Sequence, residues 1–254
     1  MEHTANSITL RGTLMGLPEF SHENHERRFY RFQLEVERLS GTSDILPVMA
    51  AEDVLYAMDL FRGCRVEVTG QIRSFNSKAA TGRRLIISVY AASMTTSDAE
   101  PENEVALTGA ICKEPVYRRT PLGREICDIM LAVNRPYHRT DYIPCILWGR
   151  TAQEAADLPV GARIQLTGRL QSREYVKVLP DGSEKRTAYE VSVTTAEPAE
   201  EETGRFRKNF RNFLYTVKPA RKKVVIKDDR KKRRRRGALR PQCAAGTNER
   251  GYQV

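Results

Sequence analysis

Tyr142 and Trp148 stand six positions apart in Asp141-Tyr-Ile-Pro-Cys-Ile-Leu-Trp-Gly149, a segment whose apolar residues recur at every second position. Side chains alternate along a strand, so if Ile143, Cys145 and Leu147 face a core, Tyr142, Pro144, Ile146 and Trp148 face away from it. Two large rings then share one outward face, roughly 20 Å apart at about 3.3 Å per residue. Tyr137, in the loop Arg135-Pro-Tyr-His-Arg139, and Tyr175, at the start of a hairpin, are further candidate platforms. Around them lie Arg118, Arg119, Arg124, Arg135, Arg139, Arg150, Arg169, Arg173 and Lys177. The chemistry of such a set is stacking of flat π-systems with neutralisation of phosphates, the combination that holds single-stranded nucleic acid. Packing at a barrel edge or an oligomer contact competes as a reading of each ring, and a solvated surface charge competes as a reading of each arginine.

Other reactive residues do not assemble into a constellation. His3, His22, His25 and His138 occur without a cysteine or carboxylate pattern, and no phosphate-cradling glycine loop is present. His22 and His25 with Glu23 and Glu26 are read as a solvated polar loop rather than a metal site, so no metal and no cofactor are expected. Cys64, Cys112, Cys127, Cys145 and Cys243 show no paired metal spacing; Cys127 and Cys145 sit in apolar runs and read as small buried hydrophobes. The expectation is a binder and not an enzyme.

The elements that would position the rings come from an internal repeat. A shift of 97 carries Asn6-Ser-Ile-Thr-Leu-Arg-Gly12 onto Asn103-Glu-Val-Ala-Leu-Thr-Gly109, Phe32, Leu34 and Val36 onto Ile129, Leu131 and Val133, and Asp44-Ile-Leu-Pro47 onto Asp141-Tyr-Ile-Pro144. A shift of 98 superposes Gly63-Cys-Arg-Val-Glu-Val-Thr-Gly70 on Gly161-Ala-Arg-Ile-Gln-Leu-Thr-Gly168. Two similar domains are therefore expected: 1–96, a polar and acidic linker at 97–102, a second domain at 103–196, and an acidic hinge leading into a basic low-complexity tail over 197–254.

In the second unit, period-two runs around Val105, Ile129 and Ile143 predict three strands, and Thr151-Ala-Gln-Glu154 reads as a capping box opening a short helix that Gly161 ends. A strand through Ile164, Leu166 and Leu170 and a hairpin around Pro180-Asp-Gly182 complete the order β-β-β-α-β-β. That order is the OB-fold, so the expected fold class is all-β: two tandem five-stranded OB barrels, each with one short helix, plus a disordered or partly helical basic C-terminal tail.

The formal net charge of +10 is unevenly placed: from Arg205 onward there are 18 Lys/Arg and 3 Asp/Glu, leaving 24 against 29 in residues 1–204. A mildly acidic body must bind nucleic acid through local basic rims and stacking, not bulk charge. With no apolar leader after Glu2 and His3 and no membrane-length apolar run, the expected location is cytoplasmic and nucleoid-associated, away from membranes.

The second unit resembles the bacterial and phage single-stranded DNA-binding proteins of the homo-oligomeric SSB family. The resemblance is carried by Asn103–Gly109, Pro115-Val-Tyr-Arg118, Leu131-Ala-Val-Asn-Arg135, Asp141–Gly149 and Gly161–Tyr175. It implies wrapping of single strands without sequence preference, with stacking positions falling on Tyr137, Tyr142, Trp148 and Tyr175, in replication, recombination or repair. Four barrels per particle are implied too, which a two-barrel chain reaches as a homodimer. The first unit departs from the pattern: Ser40, Ile45 and Ala51 replace three of the rings, so it is read as degenerate, kept for assembly or weak contact, with Phe75, Arg73, Lys78, Arg83 and Arg84 within reach of a strand.

The family's acidic, hydrophobic tip has no counterpart in Asn248–Val254, so recruitment of replication and repair enzymes by that route is not expected. Instead Lys231, Lys232, Arg233, Arg234, Arg235 and Arg236 form a block suited to attracting phosphates as an auxiliary arm, with a solvated extension and a basic targeting or membrane-surface segment as the competing readings. Phe206, Phe210 and Phe213 stand at helical spacing among cations before it. Two rival functions share these features: a primosome-type accessory protein, and a purely structural OB-fold interaction protein.

Overall fold

Strict alternation of buried and half-exposed residues along Asn6–Leu14 (β1) places Ile8, Leu10 and Leu14 in a core. The computed structural model describes residues 5–199 apart from 57, 80–81 and 180–181, so the basic block and the three phenylalanines of the tail lie outside the described residues. The first unit continues with β2 (Glu19–Asn24), β3 (Arg27–Glu37), β4 (Ser43–Ala51), α1 (Glu52–Leu55), β5 (Arg65–Ala79) and β6 (Gly82–Thr96). The second repeats the order with β7 (Glu102–Ile111), β8 (Val116–Arg119), β9 (Glu125–Arg135), β10 (Arg139–Trp148), α2 (Gly149–Ala156), β11 (Arg163–Leu179) and β12 (Gly182–Pro198).

Each unit closes into a barrel by the same pairings. β1 pairs with β3 and β5, β5 with β6, β3 with β4, and β4 with β6 in parallel; β7, β9, β10, β11 and β12 repeat the circuit. The fold is therefore two OB-type barrels. Each carries one strand more than the sequence pattern suggests, β2 or β8, which pairs along the outside of β3 or β9. These short strands lack the apolar alternation that marks the others, because neither of their faces is fully buried.

A β-bulge in β5 and another in β11, at Thr69/Gly70 and Thr167/Gly168, bend the long strands around the barrels. Glycine is required there: a Cβ would stand 2.1 Å from the Tyr90 carbonyl oxygen at Gly70 and 2.2 Å from that of Ser192 at Gly168.

The two barrels join through β1 and β7, which run antiparallel with Ile8 opposite Val105, the two residues related by the 97-residue shift. The junction is thus a pseudo-two-fold axis inside one chain. Side chains reinforce it reciprocally. Asp44 of the first barrel, fully buried, accepts the Ser172 N–H at 2.7 Å and the Arg38 guanidinium at 2.5 and 2.7 Å. Asp141, its counterpart, accepts the Ser74 N–H at 2.7 Å and an Arg73 N–H at 3.1 Å, with Arg135 at 3.5 Å. The Ser74 hydroxyl in turn accepts the Tyr142 N–H at 2.7 Å, as that of Ser172 accepts the Ile45 N–H at 3.2 Å.

Three local expectations are corrected. Helix α2 begins at Gly149, with Trp148 at the N-cap and no side-chain cap, so Thr151 does not open it; Glu154 instead pairs with Arg150 at 2.9 Å. Ile146 has the outward parity but is buried, at 5% exposure. His22 is a β2 residue stacked on Phe29 and not part of a loop; His25 occupies the following turn with φ 49°.

Candidate nucleic-acid interface

β10 pairs with β9 over its whole length, fixing its register and therefore which of its side chains face out. Tyr142 (42% exposed) and Trp148 (37%) lie on that outer side. The indole is oriented by its own N–H, which donates to the Ser192 hydroxyl on β12 at 3.1 Å. One edge of the ring is thereby anchored while part of its surface stays open. Tyr137 stands at the tip of the β9–β10 turn, 92% exposed, with a φ of 62° followed by 55° at His138. Positive φ is costly for a bulky residue, so the turn holds this phenol in solvent against local preference. Tyr175 (38% exposed) projects from the β11–β12 hairpin, with the Arg173 guanidinium 5.9 Å from its ring centroid and Arg186 opposite it across the ladder.

The nine basic residues divide into groups. Arg118 pairs with Asp128 at 2.7 Å, Arg119 with Glu125 at 2.7 Å, Arg150 with Glu154, and Arg173 with Glu190 at 3.5 Å. The hydrogen bond from Arg119 holds the Glu125 carboxyl below the usual carboxylate range, helped by Tyr117 and Gln153. Arg135 leans on buried Asp141 and belongs to the junction between the barrels. Arg169 is half-buried, and burial together with the nearby Arg38 lowers its pKa. Arg124, Arg139 and Lys177 make no ion pair among the described residues.

Beneath the rings the barrel is closed. Cys127 and Cys145 are buried; burial pushes the Cys127 thiol up to about 11 and drives that of Cys145 higher still. Among the described residues no group of three or more His, Cys, Asp and Glu is placed to hold a metal ion, and no helix is long and apolar enough to cross a membrane.

In the first barrel, Ser40, Ile45 and Ala51 take the positions of Tyr137, Tyr142 and Trp148. Phe75 is half-exposed and lines a groove of about 540 Å³ with Met15, Phe32, Pro47, Met49 and Ile86. Arg73 is engaged with Asp141 and Gln71, while the side chains of Lys78, Arg83 and Arg84 lie outside the described residues. Sequence comparison of the repeats missed a second group of rings here. Phe20 meets Tyr30 edge-on at 6.0 Å, His22 stacks on Phe29 at 4.9 Å and 14°, and Phe29 lies 6.2 Å from Tyr90. The signal was the run Phe20-Ser-His22 facing Phe29-Tyr30 across a short turn, but without β2 there was no reason to pair the two.

A pair of OB barrels, the second with four exposed rings, is an architecture that recurs among oligonucleotide-binding proteins. Comparison with known proteins makes this specific. The sequence pattern of the "Single-strand binding protein family" matches residues 102–199. "Single-stranded DNA-binding protein 2" of Listeria innocua is 34% identical over 121 residues, covering 43% of this chain and 74% of the relative. "Single-stranded DNA-binding protein A" of Bacillus subtilis is 38% identical over 80 residues, covering 29% of this chain and 46% of the relative. The chain belongs to the single-strand binding protein family, although it spans only about half the length of several relatives. The solved wild-type single-stranded DNA-binding protein of Thermus aquaticus superposes with a TM-score of 0.64 at 20% identity, covering 78% of this chain and 94% of that one, which attests the two-barrel fold.

Proposed function

We propose that the chain binds single-stranded DNA without sequence preference, through the outer face of its second barrel. The observation that carries this reading is the set of four open rings, Tyr137, Tyr142, Trp148 and Tyr175, on the barrel that matches the family. Bases stack on these rings, and Arg124, Arg139 and Lys177 meet the phosphates as the first cations. Arg118 and Arg150 follow by exchanging a half-exposed carboxylate partner for a phosphate, at little cost because exposed pairs contribute at most about 1 kcal/mol; Arg119 and Arg173 would leave the more covered Glu125 and Glu190 behind and follow last. Arg135 acts from behind, by bracing buried Asp141 at the junction, and half-buried Arg169, beside Gln171, reaches a phosphate last. The role is passive: a strand held extended on rings is kept from re-pairing, and no bond is made or broken. Replication, recombination and repair all supply such strands.

The only tryptophan of the chain is Trp148, so the test is direct. Titration with oligothymidylate quenches its emission under this reading; unchanged emission and unchanged hydrodynamic size at saturation overturn it. The junction through β1 and β7 gives each chain two barrels, and we propose that a homodimer brings the number to four. Light scattering that returns a monomer mass at micromolar concentration removes that part. The basic block at Lys231–Arg236 serves as an auxiliary arm in this scheme, and deleting 205–254 flattens the salt dependence of affinity, which for single strands runs at about −0.7 per phosphate contact.

A further inference from the structure

The first barrel has alanine at position 51 where the second has Trp148, and a ring stands at the matching register of another strand. Registers locate it. In the second barrel Trp148 opposes Ile126, and Ile146 pairs in parallel with Ser192, toward which the indole N–H reaches. In the first barrel the matching residues are Ala51 opposite Phe29, and Met49 paired with Tyr90. The large ring and the small residue have exchanged strands: tryptophan on β10 with serine on β12, against alanine on β4 with tyrosine on β6. Tyr90 lies 6.2 Å from Phe29, which is itself stacked against exposed His22. Two guanidinium groups flank the row, Arg27 at 5.9 Å from the Phe29 centroid and Arg73 at 5.8 Å from that of Tyr90.

We infer that His22, Phe29 and Tyr90 form a second nucleobase-stacking row, so that the first barrel is a working single-strand site and not a degenerate one. The inference rests on the proposed single-stranded DNA binding of the second barrel and extends it to a separate site. Phe29 is the buried backing of the row; His22 is exposed and Tyr90 half-exposed, with Arg73 over the Tyr90 ring. Arg27 is the cation that faces a phosphate. It is held by Asp53 through hydrogen bonds of 2.7 and 2.9 Å, but both partners are about half exposed or more, so a phosphate competes for it readily. Arg73 remains bound to Asp141 and fixes the far end of the row.

The test uses the full chain and two oligothymidylates, one of about 8 nucleotides, within the span of one barrel, and one of about 32, enough for two. The double variant His22→Ala, Tyr90→Ser is expected to bind the long oligonucleotide roughly fivefold or more weakly, while the short one still quenches Trp148. Equal affinity of native and variant chains for the long oligonucleotide overturns the inference. Photocrosslinking of the native chain to oligothymidylate carrying 5-bromodeoxyuridine covers the case in which the variant misfolds. Adducts on the peptides containing His22 or Tyr90 support the row, and adducts confined to the second barrel remove it. A native chain that binds neither oligonucleotide fails at the earlier step and takes both readings down, whereas Trp148 quenching without first-barrel adducts removes only this one.

Discussion

The two barrels share a circuit of strands, a bulge glycine and a buried aspartate, yet they differ where the outer face meets solvent. In the second barrel, α2 runs eight residues, and Cys127 is buried in one cluster with its Ala152 and Ala155. In the first, α1 is a single turn that buries nothing, and the residue matching Cys127 is Tyr30, whose hydroxyl donates to Glu52 at 3.1 Å. The inside of a barrel tolerates little change because every side chain there touches several others, whereas a face with one side in water can be rewritten residue by residue. What closes the barrels and what joins them is the same in both units, and what differs lies on the solvent-facing side.

The first way to break this comparison is at the junction. Asp44 and Asp141 are both fully buried and each accepts an N–H from the opposite barrel. Replacing either by alanine strands a half-buried guanidinium and the amide of the opposite barrel, each unpaired donor costing about 1–3 kcal/mol. Urea unfolding of Asp44→Ala and Asp141→Ala measures it. The pseudo-two-fold axis predicts similar losses; a loss below about 1 kcal/mol for one of them would show that only one clasp holds.

The next comparison concerns binding. Trp148→Ala and Tyr142→Ala are each expected to cost about 1–3 kcal/mol of affinity for oligothymidylate. Fluorescence anisotropy of a labelled strand measures both, since the first variant has no tryptophan. Ile45→Ala, at the position in the first barrel that matches Tyr142, is expected to change affinity far less. Equal losses for Tyr142→Ala and Ile45→Ala would mean that area, not stacking, holds the strand.

Much of this was legible in the sequence because a repeat reads twice. The shift of 97 located both barrels, and period-two alternation placed Tyr142 and Trp148 on the outward parity. It failed at Ile146, because parity says which way a side chain points but not whether something lies over it. The ring row of the first barrel escaped for a related reason. Comparing equivalent positions finds rings that were kept, and a ring that moved from β4 to β6 leaves alanine at one site and tyrosine at another, neither of which signals alone. The helix start was misjudged because Thr151-Ala-Gln-Glu154 satisfies the capping pattern, while the backbone turns two residues earlier at Gly149, with φ 55°.

A smaller effect separates the cations. Arg139 has no ion-pair partner among the described residues, whereas Arg150 is paired with Glu154 one helical turn away. Arg139→Ala is expected to reduce the salt slope of single-strand affinity by about 0.7, one phosphate contact. Arg150 already spends part of its charge on Glu154 and so makes less than a full phosphate contact, and Arg150→Ala changes the slope less. Affinity measured at three salt concentrations tests the order, and an identical change for both would mean that pairing in the free protein does not predict which cations the strand recruits.

The smallest effect lies under α2. Burial raises the Cys127 thiol from 9.0 to about 11, so the native state favours the neutral form more than the unfolded chain does. That contribution is present in full below pH 9 and is lost as pH climbs through 11, because the unfolded thiol ionises first. Cys127→Ala removes the group, so the variant's stability should decline less steeply than the native chain's over this range. Tyr30→Phe, at the matching site of the first barrel, tests the other half of the contrast. Its phenol donates to Glu52 and its own pKa is raised, by burial first and by that hydrogen bond second. The sign is the same but the range lies above pH 10, where the unfolded phenol starts to ionise. Two decays at separate pH would show that one position of the repeat has become two differently covered sites; coincident decays would argue that α1 and α2 shield it alike.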